Sequence, residues 1–70
     1  MRAPASQVLR EAARDQHPNE PFEKALGRAV RNHGGTYQDY VELIARVRER
    51  AERDGKGLVV AAKALASRKK

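Results

Sequence analysis

Residues 34–57, GGTYQDYVELIARVRERAERDGKG, contain the strongest structural signal in the chain. Thr36 and Asp39 have the spacing of a capping box, in which a hydroxyl and a carboxylate three residues apart satisfy free backbone N–H groups at a helix start. Gly55 is suited to ending a helix, because glycine adopts the left-handed conformation without strain. The segment between them predicts a helix over residues 37–54, with an apolar stripe at the helical period formed by Tyr37, Tyr40, Val41, Ile44, Val47 and Ala51.

The rest of the chain divides into three shorter helices. Pro18 and Pro21 interrupt the helical pattern, because proline lacks an N–H group and clashes with the preceding turn in a helix interior. No segment alternates apolar and polar residues, so no strand is predicted. We therefore expect an all-α fold, a compact bundle of four short helices. The helices predicted in addition to 37–54 cover residues 4–16, 21–33 and 58–68.

Length and composition indicate one small domain. The chain has 70 residues, of which 40% are hydrophobic. A chain of this size gains only about 3–5 kcal/mol from its core. The absence of cysteine excludes disulfides and thiolate metal sites and is consistent with a reducing compartment. No apolar stretch resembles a secretory signal or a membrane span. We expect a soluble, cytoplasmic protein with a single helical domain over residues 1–70 and a short basic tail at 67–70.

The net charge of +6 is distributed unevenly along the chain. Residues 1–54 contain ten basic and nine acidic side chains, whereas residues 55–70 contain five basic side chains and no acidic one. Cations near a helix C-terminus interact favourably with the helix dipole, but five cations without an acid exceed that need. The pattern predicts contact with nucleic-acid phosphates, with a solubilising tail as the alternative. The candidate contacts are Lys56, Lys63, Arg68, Lys69 and Lys70.

A second candidate basic surface lies on the first two helices. Its arginines have no acid at the i,i+4 spacing that forms ion pairs along a helix. The acids of the second and third helices are expected to neutralise other cations, in the pairs Glu20–Lys24, Glu42–Arg46 and Glu49–Arg53. Whether the two basic helices present their charge together depends on how they pack. The unpaired set consists of Arg10, Arg14, Arg28 and Arg31.

The fourth predicted helix is apolar around most of its circumference. Such a helix is buried either within its own fold or by a second chain, and a 70-residue domain has little room to surround it. Its alanines permit the close approach of another helix. The pattern predicts an interface with a partner protein or a second copy, with burial in the chain's own core as the alternative. The candidate interface residues are Leu58, Val59, Val60 and Ala64.

No residue pattern indicates catalysis or a metal site. His17 and His33 are the only histidines, at no recognised zinc-ligand spacing, and no hydroxyl has a visible neighbouring base. The Gly34–Gly35–Thr36 turn can hold an anion at a helix N-terminus, but ordinary helix caps explain the same residues. Tyr37 and Tyr40 fit lids over the core, with base stacking as the alternative. We expect no enzyme activity, no metal and no cofactor.

The leading functional hypothesis is a small non-enzymatic module that contacts DNA or RNA phosphates with little sequence specificity, because no base-reading element is evident. The alternative is a protein-interaction adaptor or a homo-oligomerising domain that uses the apolar fourth helix. A third candidate is a small enzyme subunit that holds a phosphorylated ligand at the glycine turn. No membrane partner is expected, and no small-molecule substrate is evident.

Overall fold

Four helices form the fold, and the predicted all-α bundle is confirmed. The structure, a computed structural model, describes residues 3–67. No strand occurs among those residues. Each helix packs against the next one along the chain, and the last helix also packs against the first, which closes a ring. The helices are α1 (Ala5–Asp15), α2 (Phe22–Asn32), α3 (Tyr37–Asp54) and α4 (Leu58–Ala66).

Two helices begin directly after a proline. Pro4 and Pro21 have φ values of −65° and −67°, and their ψ values of 153° and 147° are extended. The proline ring fixes φ but leaves ψ free. Because their ψ values are extended, both prolines lie just outside their helices. The predicted helix starts at residues 4 and 21 are therefore one residue early. Both carbonyl groups accept a bond from the first helical turn, from Gln7 N–H at 3.0 Å and from Lys24 N–H at 3.1 Å.

The longest helix, α3, begins and ends at the predicted residues. Asp39 N–H donates to Thr36 Oγ1 at 3.2 Å, and Thr36 N–H donates to Asp39 Oδ2 at 2.9 Å, so both halves of the capping box form. Gly55 ends the helix with a φ of 64°, in the left-handed region. The next residue, Lys56, donates its N–H to the Ala51 carbonyl at 3.0 Å, which completes a glycine C-cap.

Aliphatic side chains from all four helices build one core. Leu26, in the middle of the apolar face of α2, is completely buried, and Ile44, in the middle of the predicted stripe of α3, is 5% exposed. The buried residues of α4 are all alanines, which lets this helix lie close to its neighbours. The whole buried set is Val8, Leu9, Ala12, Phe22, Ala25, Leu26, Ala29, Val30, Leu43, Ile44, Val47, Ala51, Ala61, Ala62 and Ala66.

The predicted apolar stripe of α3 is wrong at two positions. Tyr37 is 79% exposed and Val41 is 36% exposed, whereas Leu43, which the stripe omitted, is buried. The buried face runs through residues 43, 44, 47 and 51, and at 3.6 residues per turn Val41 lies roughly 100° around the helix from its centre. Tyr40 is half-buried and packs against the core, so the lid interpretation holds for Tyr40 and fails for Tyr37.

Helix α4 is covered largely by its own chain. It packs against α1 and α3, and two of the predicted interface residues, Leu58 and Val59, are partly buried against the core. Ala64 is half-buried. The remaining candidate, Val60, is 49% exposed. No helix within residues 3–67 combines the length and the apolar composition needed to cross a bilayer.

Candidate nucleic-acid interface

The fold brings three of the predicted phosphate-contacting residues together where α1 meets α4. Arg10 and Arg14 lie one turn apart on α1, and Lys63 lies on α4. These three cations line a shallow depression of about 410 Å³ together with Ala13, Ala66 and Ser67, and no acidic side chain from residues 3–67 belongs to the lining. We call this depression, with its three cations, the α1–α4 surface. Sequence alone could not show this convergence, because α1 and α4 lie at opposite ends of the chain.

Arg10 is held in place by the end of α4. Its Nη2 donates to the Ala66 carbonyl oxygen at 3.2 Å, across 56 residues of sequence. The last carbonyl groups of a helix have no partner within the helix, so the guanidinium both satisfies one of them and offsets the negative end of the helix dipole. A guanidinium carries five N–H donors, so this single bond leaves further donors for a ligand.

Arg14 was predicted to be unpaired, and that prediction is wrong. Its Nε donates to Asp15 Oδ1 at 3.0 Å and its Nη2 to Asp15 Oδ2 at 3.4 Å. The bond lowers the pKa of Asp15 and raises the pKa of Arg14. The Arg14 side chain is nevertheless 71% exposed, and an exposed pair between adjacent residues is screened by solvent and weak. A phosphate can therefore compete with Asp15 for this guanidinium.

Arg28 belongs to the connection between α1 and α2 and not to a free basic surface. Its Nη1 and Nη2 donate to the Glu20 carboxylate at 2.8 and 3.0 Å, and Nη2 also reaches the Asp15 carbonyl oxygen at 3.2 Å. The bond from Arg28, with a second from His17 N–H, lowers the pKa of Glu20 to about 2. Glu20 was predicted to pair with Lys24, but the turn before Pro21 directs its side chain to Arg28 instead.

Arg31 lies on a different side of the molecule from the α1–α4 surface. It lines a wider, open groove of about 670 Å³ between α2 and α3. We call this site the α2–α3 groove, and its members used below are Lys24, Gly27, Arg31, Tyr37 and Tyr40. The four arginines predicted as one patch therefore separate into two pairs. Arg10 and Arg14 belong to the α1–α4 surface, whereas Arg28 and Arg31 line the α2–α3 groove, where Glu20 already binds Arg28. Neither Lys24 nor Arg31 forms an ion pair with any residue from 3 to 67.

The remaining candidates of the basic C-terminal region are only partly described. Lys56 is exposed in the loop between α3 and α4 and lines neither depression. Arg68, Lys69 and Lys70 lie outside the described residues, as does the predicted end of the fourth helix at 68. Within the described part of the chain, α4 ends at Ala66 with Ser67 as its cap.

Two arginines of α3, Arg48 and Arg50, form ion pairs, and neither pair is one of those predicted. Arg50 Nε bonds to Asp54 Oδ2 at 2.6 Å, which lowers the pKa of Asp54. Arg48 Nη2 lies 3.5 Å from Glu23 Oε2 on α2. Within residues 3–67 the structure does not contain the pairs Glu42–Arg46 and Glu49–Arg53. The predicted neutralisation of Arg46 and Arg53 is therefore wrong.

One polar contact between helices gave no signal in the sequence. His33 Nε2 lies 2.8 Å from Glu11 Oε2, and both side chains are about one-fifth exposed. The two residues are 22 positions apart, so no helical spacing relates them. His33 is also the C-cap residue of α2. No group of three or more metal-binding side chains occurs among the residues that the structure describes.

The glycine turn leads into a helix N-terminus that already holds a carboxylate. Asp39 accepts the Thr36 N–H, and a negative charge at this position disfavours a second anion. Gly35 is packed tightly, since a Cβ placed there would lie 2.5 Å from Val30 Cγ1. The residues of the turn are therefore explained by helix capping and packing.

Comparison of the chain with protein families, with curated proteins and with solved structures finds no match. The fold and the two cationic depressions define a class, a small all-α domain with a net positive charge, and the function is inferred from the chain's own residues.

Proposed function

We propose that this protein is a small non-enzymatic module that binds nucleic-acid phosphates through the α1–α4 surface, with little sequence specificity. The observation that supports the proposal is the convergence of Arg10, Arg14 and Lys63 around one depression, which no acidic side chain of the described residues lines. A cytoplasmic location is part of the proposal, since a chain without cysteine suits a reducing compartment.

The charge around this surface favours a polyanion over a single carboxylate. The depression is lined by Ser67, and three further cations, Arg68, Lys69 and Lys70, follow that residue directly in the sequence. No acid occurs between residues 55 and 70 to compete with a phosphate for them. Each phosphate contact releases condensed counterions from the nucleic acid, so several such contacts together produce affinity that depends strongly on salt.

A salt-dependent titration of the full chain against duplex DNA tests the proposal. The test variant is Arg14→Gln with Lys63→Gln, which removes two charges from the α1–α4 surface. The matched control is Arg46→Gln with Arg53→Gln, which removes two exposed charges from α3 that form no ion pair within residues 3–67. We expect the test variant to bind more weakly than the control. The slope of log affinity against log salt should fall by about 0.9 for each phosphate that the variant no longer neutralises.

Two outcomes would contradict the proposal. If the full chain binds no nucleic acid at low salt, the phosphate-binding function is excluded. If the two double variants show the same reduction in affinity and in salt slope, net charge rather than the α1–α4 surface determines binding. Removal of Arg68, Lys69 and Lys70 tests the tail separately, and we expect uniform weakening across sequences.

Self-association through α4 is a second candidate function. Val60, a large apolar side chain on this helix, is 49% exposed. Sedimentation of the wild-type chain at several concentrations, compared with Val60→Asp, tests this alternative. A dimer that Val60→Asp converts to a monomer would support it, and a wild-type monomer at high concentration would exclude it.

A further inference from the structure

We infer that the α2–α3 groove stacks an unpaired nucleobase on Tyr37, so that the protein prefers single-stranded to duplex nucleic acid. This inference rests on the proposed function and adds a base contact to its phosphate contacts. The groove shares no residue with the α1–α4 surface, so the two sites can be tested independently.

Tyr37 has the exposure that a stacking platform requires. Its side chain is 79% exposed, the highest value among the large hydrophobic residues of the described chain, and it lines the groove. Its ring centroid lies 6.0 Å from that of Tyr40, with 33° between the ring planes. Stacked bases need about 3.4 Å on each side, so no base fits between the two rings. A base can stack on the face of Tyr37 that points away from Tyr40.

Tyr40 is the neighbouring ring that holds Tyr37 in place. It is half-buried and packs against the core. A Cβ at Gly27 would lie 3.9 Å from both Cδ1 and Cε1 of the Tyr40 ring, so this ring lies close to the α2 backbone. The Tyr40 ring therefore fills the space between α2 and α3 at ordinary van der Waals distance from Gly27. Tyr37 packs beside an anchored ring, which lowers the entropy that it loses when a base binds.

The cations of the groove supply the contacts that a nucleotide also needs. Both acids that line the groove are already paired, Glu20 with Arg28 and Glu23 with Arg48. Lys24 and Arg31, two turns apart on α2, have no acid partner within residues 3–67. They remain available for the phosphates on either side of a stacked base.

A duplex cannot use this site without losing its own stacking and pairing. Its base faces are covered by neighbouring base pairs, whereas a single strand exposes them, and stacking on an aromatic side chain accepts any base. The groove therefore predicts a preference for single strands that is independent of sequence. Peptides and a second copy of the chain lack the alternation of phosphate and aromatic ring that these residues fit.

The test compares an oligothymidylate with an abasic oligomer of the same length and charge. Both contact the cations, but only the first can stack. We expect the wild-type chain to bind the oligothymidylate more tightly, and Tyr37→Ala to reduce its affinity about 5- to 150-fold. Tyr37→Ala should leave abasic binding and the salt slope unchanged. Tyr37→Phe should retain the preference, and Val41→Ala is the control for truncation of an exposed apolar residue outside the groove.

A fluorescence measurement locates the base. The chain contains two tyrosines and no tryptophan, so the emission of Tyr40→Phe reports Tyr37 alone. We expect oligothymidylate to quench this emission and the abasic oligomer to leave it unchanged. Equal wild-type affinity for the two oligomers, or a preference that survives in Tyr37→Ala, would overturn the inference. Salt-dependent abasic binding in that case would leave the proposed function standing, whereas no binding of either oligomer or of duplex DNA at low salt would overturn both.

Discussion

The α1–α4 surface and the α2–α3 groove are both cationic depressions between two helices, yet their contents differ. The first is lined by cations and small residues, and the second by cations, acids that are already paired, and two tyrosines. One helix beside each site also differs in the size of its buried side chains. The buried residues of α4 are all alanines, whereas α2 buries Phe22, Leu26 and Val30. The comparison shows that ion pairing and neighbouring side chains, more than the number of cations, distinguish the two sites.

The largest expected effect comes from Leu26→Ala, which tests whether the two sites depend on the same core. Leu26 is completely buried, so Leu26→Ala removes its apolar contacts and leaves a cavity, at a cost of about 2–5 kcal/mol. Ile44→Ala should have a similar effect. A loss of this size unfolds much of so small a domain, so binding to both sites should disappear together. Chemical denaturation measures the change, with the exposed Val60→Ala as control. A melting temperature within a few degrees of wild type would contradict this core placement.

A second substitution should affect the α1–α4 surface more than the α2–α3 groove. Ala62 is fully buried on α4, and the larger side chain of Ala62→Leu forces this helix away from its neighbours. We expect a loss of about 1–3 kcal/mol from overpacking, measured by chemical denaturation. The half-buried Ala64→Leu should cost less. The preference for oligothymidylate over the abasic oligomer should persist in Ala62→Leu, and its disappearance would show that the two sites are not independent.

Local sequence signals predicted the helices well. The capping box of Thr36 and Asp39 and the left-handed Gly55 are defined by residues three apart or by a single residue. They placed both ends of α3 correctly. Leu26 and Ile44 are central in their stripes, so small errors in helix orientation do not expose them.

The candidate site depends on tertiary contacts that such signals do not contain. Arg28 meets Glu20 eight residues away because a loop with two prolines folds back, and no helical spacing reports this pair. Tyr37 belongs to an apolar pattern, but its exposure depends on where the neighbouring helices end. The meeting of Arg10 with Lys63 depends on the packing of the first helix against the last.

A third substitution, Thr36→Ala, weakens the start of α3, which carries Tyr37 of the α2–α3 groove. Thr36→Ala removes the hydroxyl that accepts the Asp39 N–H, and loss of such a cap costs about 1 kcal/mol. Thr36→Ser keeps the acceptor and should be close to wild type in thermal denaturation. The first turn of α3 carries Tyr37, so Thr36→Ala should also reduce the preference for oligothymidylate slightly. Equal stability of the alanine and serine variants would show that the cap is not needed here.

The smallest effect concerns the Arg28–Glu20 connection between α1 and α2, and it is present at neutral pH and lost in acid. The bonds from Arg28 and His17 lower the pKa of Glu20 in the folded chain to about 2, against an ordinary value of 4.5. A carboxyl whose pKa is lower in the folded state adds stability above its unfolded pKa and loses that contribution as the pH falls. Glu20→Gln should therefore melt below wild type at neutral pH. The difference in melting temperature should diminish between pH 4.5 and about 2. Glu52→Gln, which removes an exposed acid without an ion pair in residues 3–67, is the control for the lost charge. A difference that stays constant down to pH 2 would show that the Glu20 carboxylate does not stabilise the connection between α1 and α2 through its charge.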